Sequence, residues 1–597
     1  MEIDGIPDVA DLLRDMESDD VAVREAALGW LVSAAWRDDD FAAATGRAVP
    51  ELARLARQLP GHRAELLELL GDLADRTDWS DGAEPTRRTV TAELPSLLPY
   101  AHDADPGTRH AVLSAVVACR HQDALPLLRA RLTQEPDPVV RGHVVTALAL
   151  LEPGEGDWRH ALLTDPEPRV RLAAAEDLLR TAELPLPHDL VDIGARAYAA
   201  DPHERQRGYW PSPYEPFTER LLEDPEAAVR ALAGGVPLAF EIVGRWRDRE
   251  ADVLPWALGE LESWELRELA QLACVLPAEQ HARVRDHVRP YLAGDPHTRA
   301  AAVDALARAH APEAIEEAVR LIHENSGPPP VPYEVFRAVV AVTETFGADA
   351  LPVARAVARA MAHRPEEMSP YLTGVLTGYP EVAAEIVEEL AALVPRLSSG
   401  YAGPAVEVLG RLGAAGGEVA ERALLAATGI DHADLRTRAA VAHHRVSGDP
   451  GPALAVLRRE LERDESSWSA GRAGELGPAA RPLLPLIEPF LAADRIAAYR
   501  AEAALAVWRI TGRTEDTVEP IARPLASTER FYPRELRAVE TLTEIGLLPR
   551  FAVAPLRRAA ESPRRVASDV MNTEGRHLDY TVRDALRELL ATAEVIC

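Results

Sequence analysis

Residues 135–180 read EPDPVVRGHVVTALALLEPGEGDWRHALLTDPEPRVRLAAAEDLLR and contain one motif twice. Asp137-Pro-Val-Val-Arg141 and Glu167-Pro-Arg-Val-Arg171 begin thirty residues apart, and each opens an amphipathic run. Val140, Val144 and Leu148 of the first copy match Val170, Ala174 and Leu178 of the second, the spacing of a single helix face. The acid stands where a helix N-cap belongs, and the proline after it suits the first helical position. The arginine four residues on is within reach of that acid along the helix surface, so an ion pair inside each motif is expected.

The motif recurs along the chain. It appears at Asp20–Arg24, Asp105–Arg109, Glu226–Arg230, Asp295–Arg299, Asp434–Arg438 and Asp579–Arg583. A short acid-proline start at this period, before a helix rich in Ala, Val and Leu, resembles HEAT repeats of the short bacterial type. The resemblance implies an all-α chain, a right-handed superhelix of helix pairs. At roughly 35–40 residues per unit the chain holds about 15 pairs. With about 10 Å between packed helices, one continuous array of residues 1–597 would follow an arc on the order of 150 Å. The stretches between motif copies support this, since 381–413 and 480–512 each read as two helices broken by proline or glycine.

Composition agrees with a lengthwise core. Hydrophobic residues make up 47% of the 597 but aromatics only 5%, so small aliphatic side chains do the packing. There are 96 acids against 65 bases, a net charge of -31, and every base is arginine. Without lysine there is no Walker-type phosphate loop, Schiff base or Ser-Lys dyad. Net acidity makes nucleic acid an unlikely partner. Three distant cysteines suggest neither a disulfide framework nor a zinc site. The acidic N-terminus is no signal peptide and no apolar run is long enough to span a bilayer, so a cytoplasmic protein is expected.

Three places interrupt the period: 201–217, 325–336 and 561–578. The first two share an echo, Pro213-Tyr-Glu-Pro-Phe217 and Pro332-Tyr-Glu-Val-Phe336. Rigid proline-rich loops that concentrate aromatics in a chain poor in them are candidates for partner contact. Tyr209, Trp210, Tyr214, Phe217, Tyr333 and Phe336 are the expected binding residues.

No catalytic residue, cofactor site or metal site is expected. His203-Glu204 and His323-Glu324 are two His-Glu dipeptides, where the HEAT-like deoxyhypusine hydroxylases hold two irons with four. The pairs His281/His287 and His443-His444 lack a carboxylate at ligand spacing and are expected to be solvated. HEAT-like DNA glycosylases and phycobilin lyases offer an enzymatic alternative, a ligand site on the concave face. Only the basic stretches 245–250 (RWRDRE) and 557–565 (RRAAESPRR) favour the glycosylase. The resemblance as a whole implies a scaffold for a protein or peptide partner.

Overall fold

The computed structural model describes residues 8–37, 44–75, 83–152, 157–200, 216–325, 332–363, 370–395, 399–463, 468–567 and 578–596. Among these, 35 α-helical segments follow one another. The strands are one parallel pair, Leu547–Pro549 with Glu594–Ile596, in register Leu547 to Glu594. The all-α helical-repeat class is as expected. The described residues divide into two compact units, Met1–Ile242 and Val243–Cys597, with the boundary inside the helix Ala239–Arg245.

In the first unit a continuous core runs from Val9 to Leu151, built almost wholly from Leu, Val and Ala. The helix Pro138–Leu151 shows how the motif works. The carboxylate of Asp137 accepts the amides of Val139 and Val140 at 2.9 and 3.0 Å, so it is a true N-cap. Val140, Val144 and Leu148 are buried as the spacing requires. The helices Arg63–Asp75 and Pro106–Ala118 approach so closely that a Cβ on Gly71 would lie 3.2 Å from the backbone nitrogen of Ala115.

The expected ion pair inside the motif is formed at Arg438, whose Nε lies 3.0 Å from Asp434. Elsewhere the arginine goes to other partners. Arg109 and Arg171 each donate to the carbonyls five and six residues back, Ala104 and Asp103, and Pro166 and Asp165. Arg24 reaches the Ser18 carbonyl in the same way. Arg141 pairs with Asp165, and Arg109 makes two bonds of 3.0 and 2.6 Å to the buried carboxylate of Glu135. The physical reason is competition. At Asp20, Asp105 and Asp137 the carboxylate is already taken by helix amides, whereas carbonyls of the loop entering the helix have no ladder partner. Capping itself also departs from the motif in places. Glu167 makes no side-chain cap bond, the cap before Glu226 is Asp224, and His432 caps the helix of Asp434.

In the second unit, helices pack on their successors: Ser263–Ala273 on Pro296–Arg308, and that on Tyr333–Phe346. The last helix, Leu578–Thr592, packs on Pro533–Ile545 and Arg550–Glu561. The beginning and end of this unit are also joined. Arg247 donates to Asp579 through Nε and Nη2 at 2.6 and 2.9 Å, with both side chains excluded from solvent. Nη1 of Arg247 donates to the carbonyls of Ala559 and Ser562 at 2.9 and 2.8 Å. Backbone bonds run both ways, from the Arg247 amide to Pro563 and from the Arg565 amide to Arg245. Glu250 accepts from Arg565 at 2.7 Å and from the Tyr580 hydroxyl at 2.5 Å. Asp579 lies in the first turn of the helix Leu578–Thr592, and Val582 and Leu586 are buried as its motif suggests. The Asp579 carboxylate is a buried acceptor that also takes the amides of Val566 and Ala567.

Candidate functional site

The helix Tyr333–Phe346 begins immediately after Pro332, whose ψ of 148° is extended. It buries Val335, Phe336, Val339 and Val342. It stops at Gly347, where φ is +50°, a conformation glycine adopts without strain. The chain returns as the helix Pro370–Val375, a turn at Leu376–Gly378, and the helix Pro380–Ala384. Between the first helix and this returning segment lies an open cavity of about 670 Å³.

Phe336, Val340 and Val375 give the cavity an apolar wall. Tyr379 is buried, and its hydroxyl donates to the Gly347 carbonyl at 2.7 Å, tying the two sides together. Two carboxylates, Glu344 and Glu381, complete the lining, and no basic side chain is among the described residues that form it. Glu344 is 3.4 Å from the buried guanidinium of Arg308, while Glu381 is exposed. Burial pushes the Tyr379 phenol above its ordinary range, and the negative charge of Glu381 adds to the effect. A Cβ built on Gly374, Gly378 or Gly347 would meet nothing within 4 Å, so these glycines leave the cavity wide.

Of the residues expected from sequence, Tyr209, Trp210 and Tyr214 lie outside the described residues. Phe217, expected to face a partner, is buried against the ring of Tyr198, and its edge fills the space beside Gly194. Its ring occupies the space that Gly194 leaves, where a Cβ would come within 2.6 Å of it. Tyr333 is 51% exposed, with its ring 6.0 Å from that of Phe336. Phe336 is mostly buried and lines the cavity. Sequence reasoning missed Tyr379, Glu344, Glu381 and the glycines. The available signal was TGVLTGYP at 373–380, a stretch whose two glycines, four residues apart, weaken a repeat helix that small side chains alone would not require.

The basic stretches are partly engaged within the fold, while Arg557 and Arg558 are exposed. Arg247 and Arg565 are buried in ion pairs with Asp579 and Glu250, and the guanidinium of Arg564 lies over the ring of Trp246. Solvation of His281 and His443 is not observed, since both are buried. His281 stacks on His310 at 5.3 Å between ring centres. Glu324 of the second His-Glu dipeptide pairs with Arg299. Among the described residues no cluster of three His, Cys, Asp or Glu could hold a metal ion, and no helix is long and apolar enough to cross a membrane.

Residues 50–149 match the family model described as HEAT repeats, a span that takes in the motif copies at Asp105 and Asp137. No curated protein sequence matches. Similar solved structures include the karyopherin Kap121p bound to the extreme C-terminus of the protein phosphatase Cdc14p. It is 12% identical, with 98% of this chain and 75% of that chain covered and a TM-score of 0.35. The Kap95:Nup1 complex is another, at 10% identity, 98% and 89% coverage and a TM-score of 0.38. At these values the likeness says nothing of what this chain binds.

Proposed function

We propose that this HEAT-repeat protein is a binding scaffold, and that the groove between Tyr333–Phe346 and Pro370–Tyr379 holds an extended segment of a protein or peptide partner. The observation that carries it is the open cavity of about 670 Å³ whose wall is apolar, whose rim is charged, and whose width three glycines maintain. Helices flank it on both sides, and backbone already in regular structure limits the ordering that accompanies docking. The exposed ring of Tyr333 extends the apolar wall outward. The aromatics Tyr209, Trp210 and Tyr214 of the first proline-rich loop are proposed as a second contact region. A cytoplasmic setting, expected from the sequence, is part of this proposal.

The test is photo-crosslinking in the native cell. A p-benzoylphenylalanine in place of Gly374 should crosslink to a defined partner, whereas one in place of the exposed Leu425 should not. Equal crosslinking at both positions, or none at 374, would remove the groove from consideration.

A further inference from the structure

We infer that the groove at 333–381 accepts a cationic side chain, the arginine or lysine of an extended peptide whose neighbouring residues are apolar. This rests on the proposed groove and adds the chemistry of its occupant. Two carboxylates line the cavity and no described basic residue does. Arg308 offsets part of the charge on Glu344, whereas Glu381 lines the cavity and is exposed. Its charge also acts on the neighbouring phenol of Tyr379 on the same wall. A neutral or anionic occupant would desolvate the Glu381 carboxylate without return, and a cation would compensate it. The apolar wall of Phe336, Val340 and Val375 suits the methylene stem of a long basic side chain and its aliphatic neighbours. The net charge of -31 draws cationic segments toward the chain. Two carboxylates without a third ligand fall short of what a calcium or zinc ion requires, so a metal is the poorer occupant.

The experiment uses the full chain and fluorescein-labelled nonapeptides of alternating arginine and leucine, glutamine and leucine, or glutamate and leucine, read by anisotropy. The arginine peptide should bind most tightly, and its affinity should fall tenfold or more in Glu344→Gln/Glu381→Gln. Glu381→Gln alone, at an exposed side chain, should weaken it several-fold and keeps the test valid if the double variant is unstable. Gly374→Trp or Gly378→Leu should abolish binding with the melting temperature retained. Glu418→Gln/Glu462→Gln, which neutralises two exposed acids elsewhere, should change nothing. Equal weakening by that control pair would show general surface charge and overturn the inference. Equal binding of all three peptides, still blocked by Gly374→Trp, would overturn the cationic preference and leave the groove standing. Binding insensitive to both glycine variants would overturn the groove as well. Concentration-dependent self-association that Gly374→Trp abolishes would make a second copy the occupant and would likewise overturn it.

Discussion

Asp579→Ala should open the junction between the two ends of the second unit. The carboxylate accepts four hydrogen bonds, two from Arg247 and one each from the amides of Val566 and Ala567. Its side chain is fully excluded from solvent and that of Arg247 almost so. Truncation strands a guanidinium whose acceptors are then backbone carbonyls, and breaking a buried pair from one side costs about 3–5 kcal/mol. Hydrogen exchange is the direct assay. If the junction opens locally, the amides of Arg247, Arg565, Val566 and Ala567 should lose protection by about two to three and a half orders of magnitude, at 1.4 kcal/mol per tenfold. Replacing both partners, as Arg247→Met/Asp579→Leu, should recover much of the loss, because neither charge is then stranded. The pH dependence has a definite sign. Burial raises the Asp579 carboxyl, but the bonds and charge of Arg247 outweigh this and leave it below the ordinary range. Its contribution is therefore present above the unfolded value of about 3.9 and is lost as pH falls through the lower folded value. Protection unchanged within a factor of about five in Asp579→Ala, a difference near 1 kcal/mol, would refute the reasoning.

Arg109→Ala should destabilise the first unit by about 1.5–3 kcal/mol, since its bonds to the buried Glu135 are charge-assisted and Glu135 keeps Arg131, whereas the part-exposed Arg141→Ala should cost about 1 kcal/mol or less. Leu148→Asp, which buries an unpaired charge, should cost several kcal/mol; urea unfolding of the three variants ranks them. Burial, then the charges of His110 and Arg169, hold His143 well below its ordinary range. The unfolded chain thus takes up the proton first, and stability should fall as pH drops below about 6.5. His143→Phe should flatten that part of a melting-temperature profile. Tyr209→Ala/Trp210→Ala should keep the melting temperature and weaken partner capture tenfold or more, and a collapse of the melting temperature would place both rings in the core.

The sequence by itself determined the helical-repeat class. Periodic burial at Val140, Val144 and Leu148, with Asp137 and Pro138 at the helix start, is local physics, and each repeat rewrites it for its neighbour. Phe336, which lines the cavity, and the exposed Tyr333 stood out in the sequence as well, because aromatics are rare in a chain of small aliphatics. Tertiary structure alone decided where the charges go. Arginine side chains are long, and a capping carboxylate is already occupied, so Arg109 turns to Glu135 and Arg141 to Asp165. Pairing of Arg247 with Asp579 joins residues 332 positions apart, and no periodicity encodes such a contact. The groove is of the same kind. Its width comes from the side chains that Gly374 and Gly378 lack, and its charge from Glu344 and Glu381 on separate helices that only packing brings to one cavity.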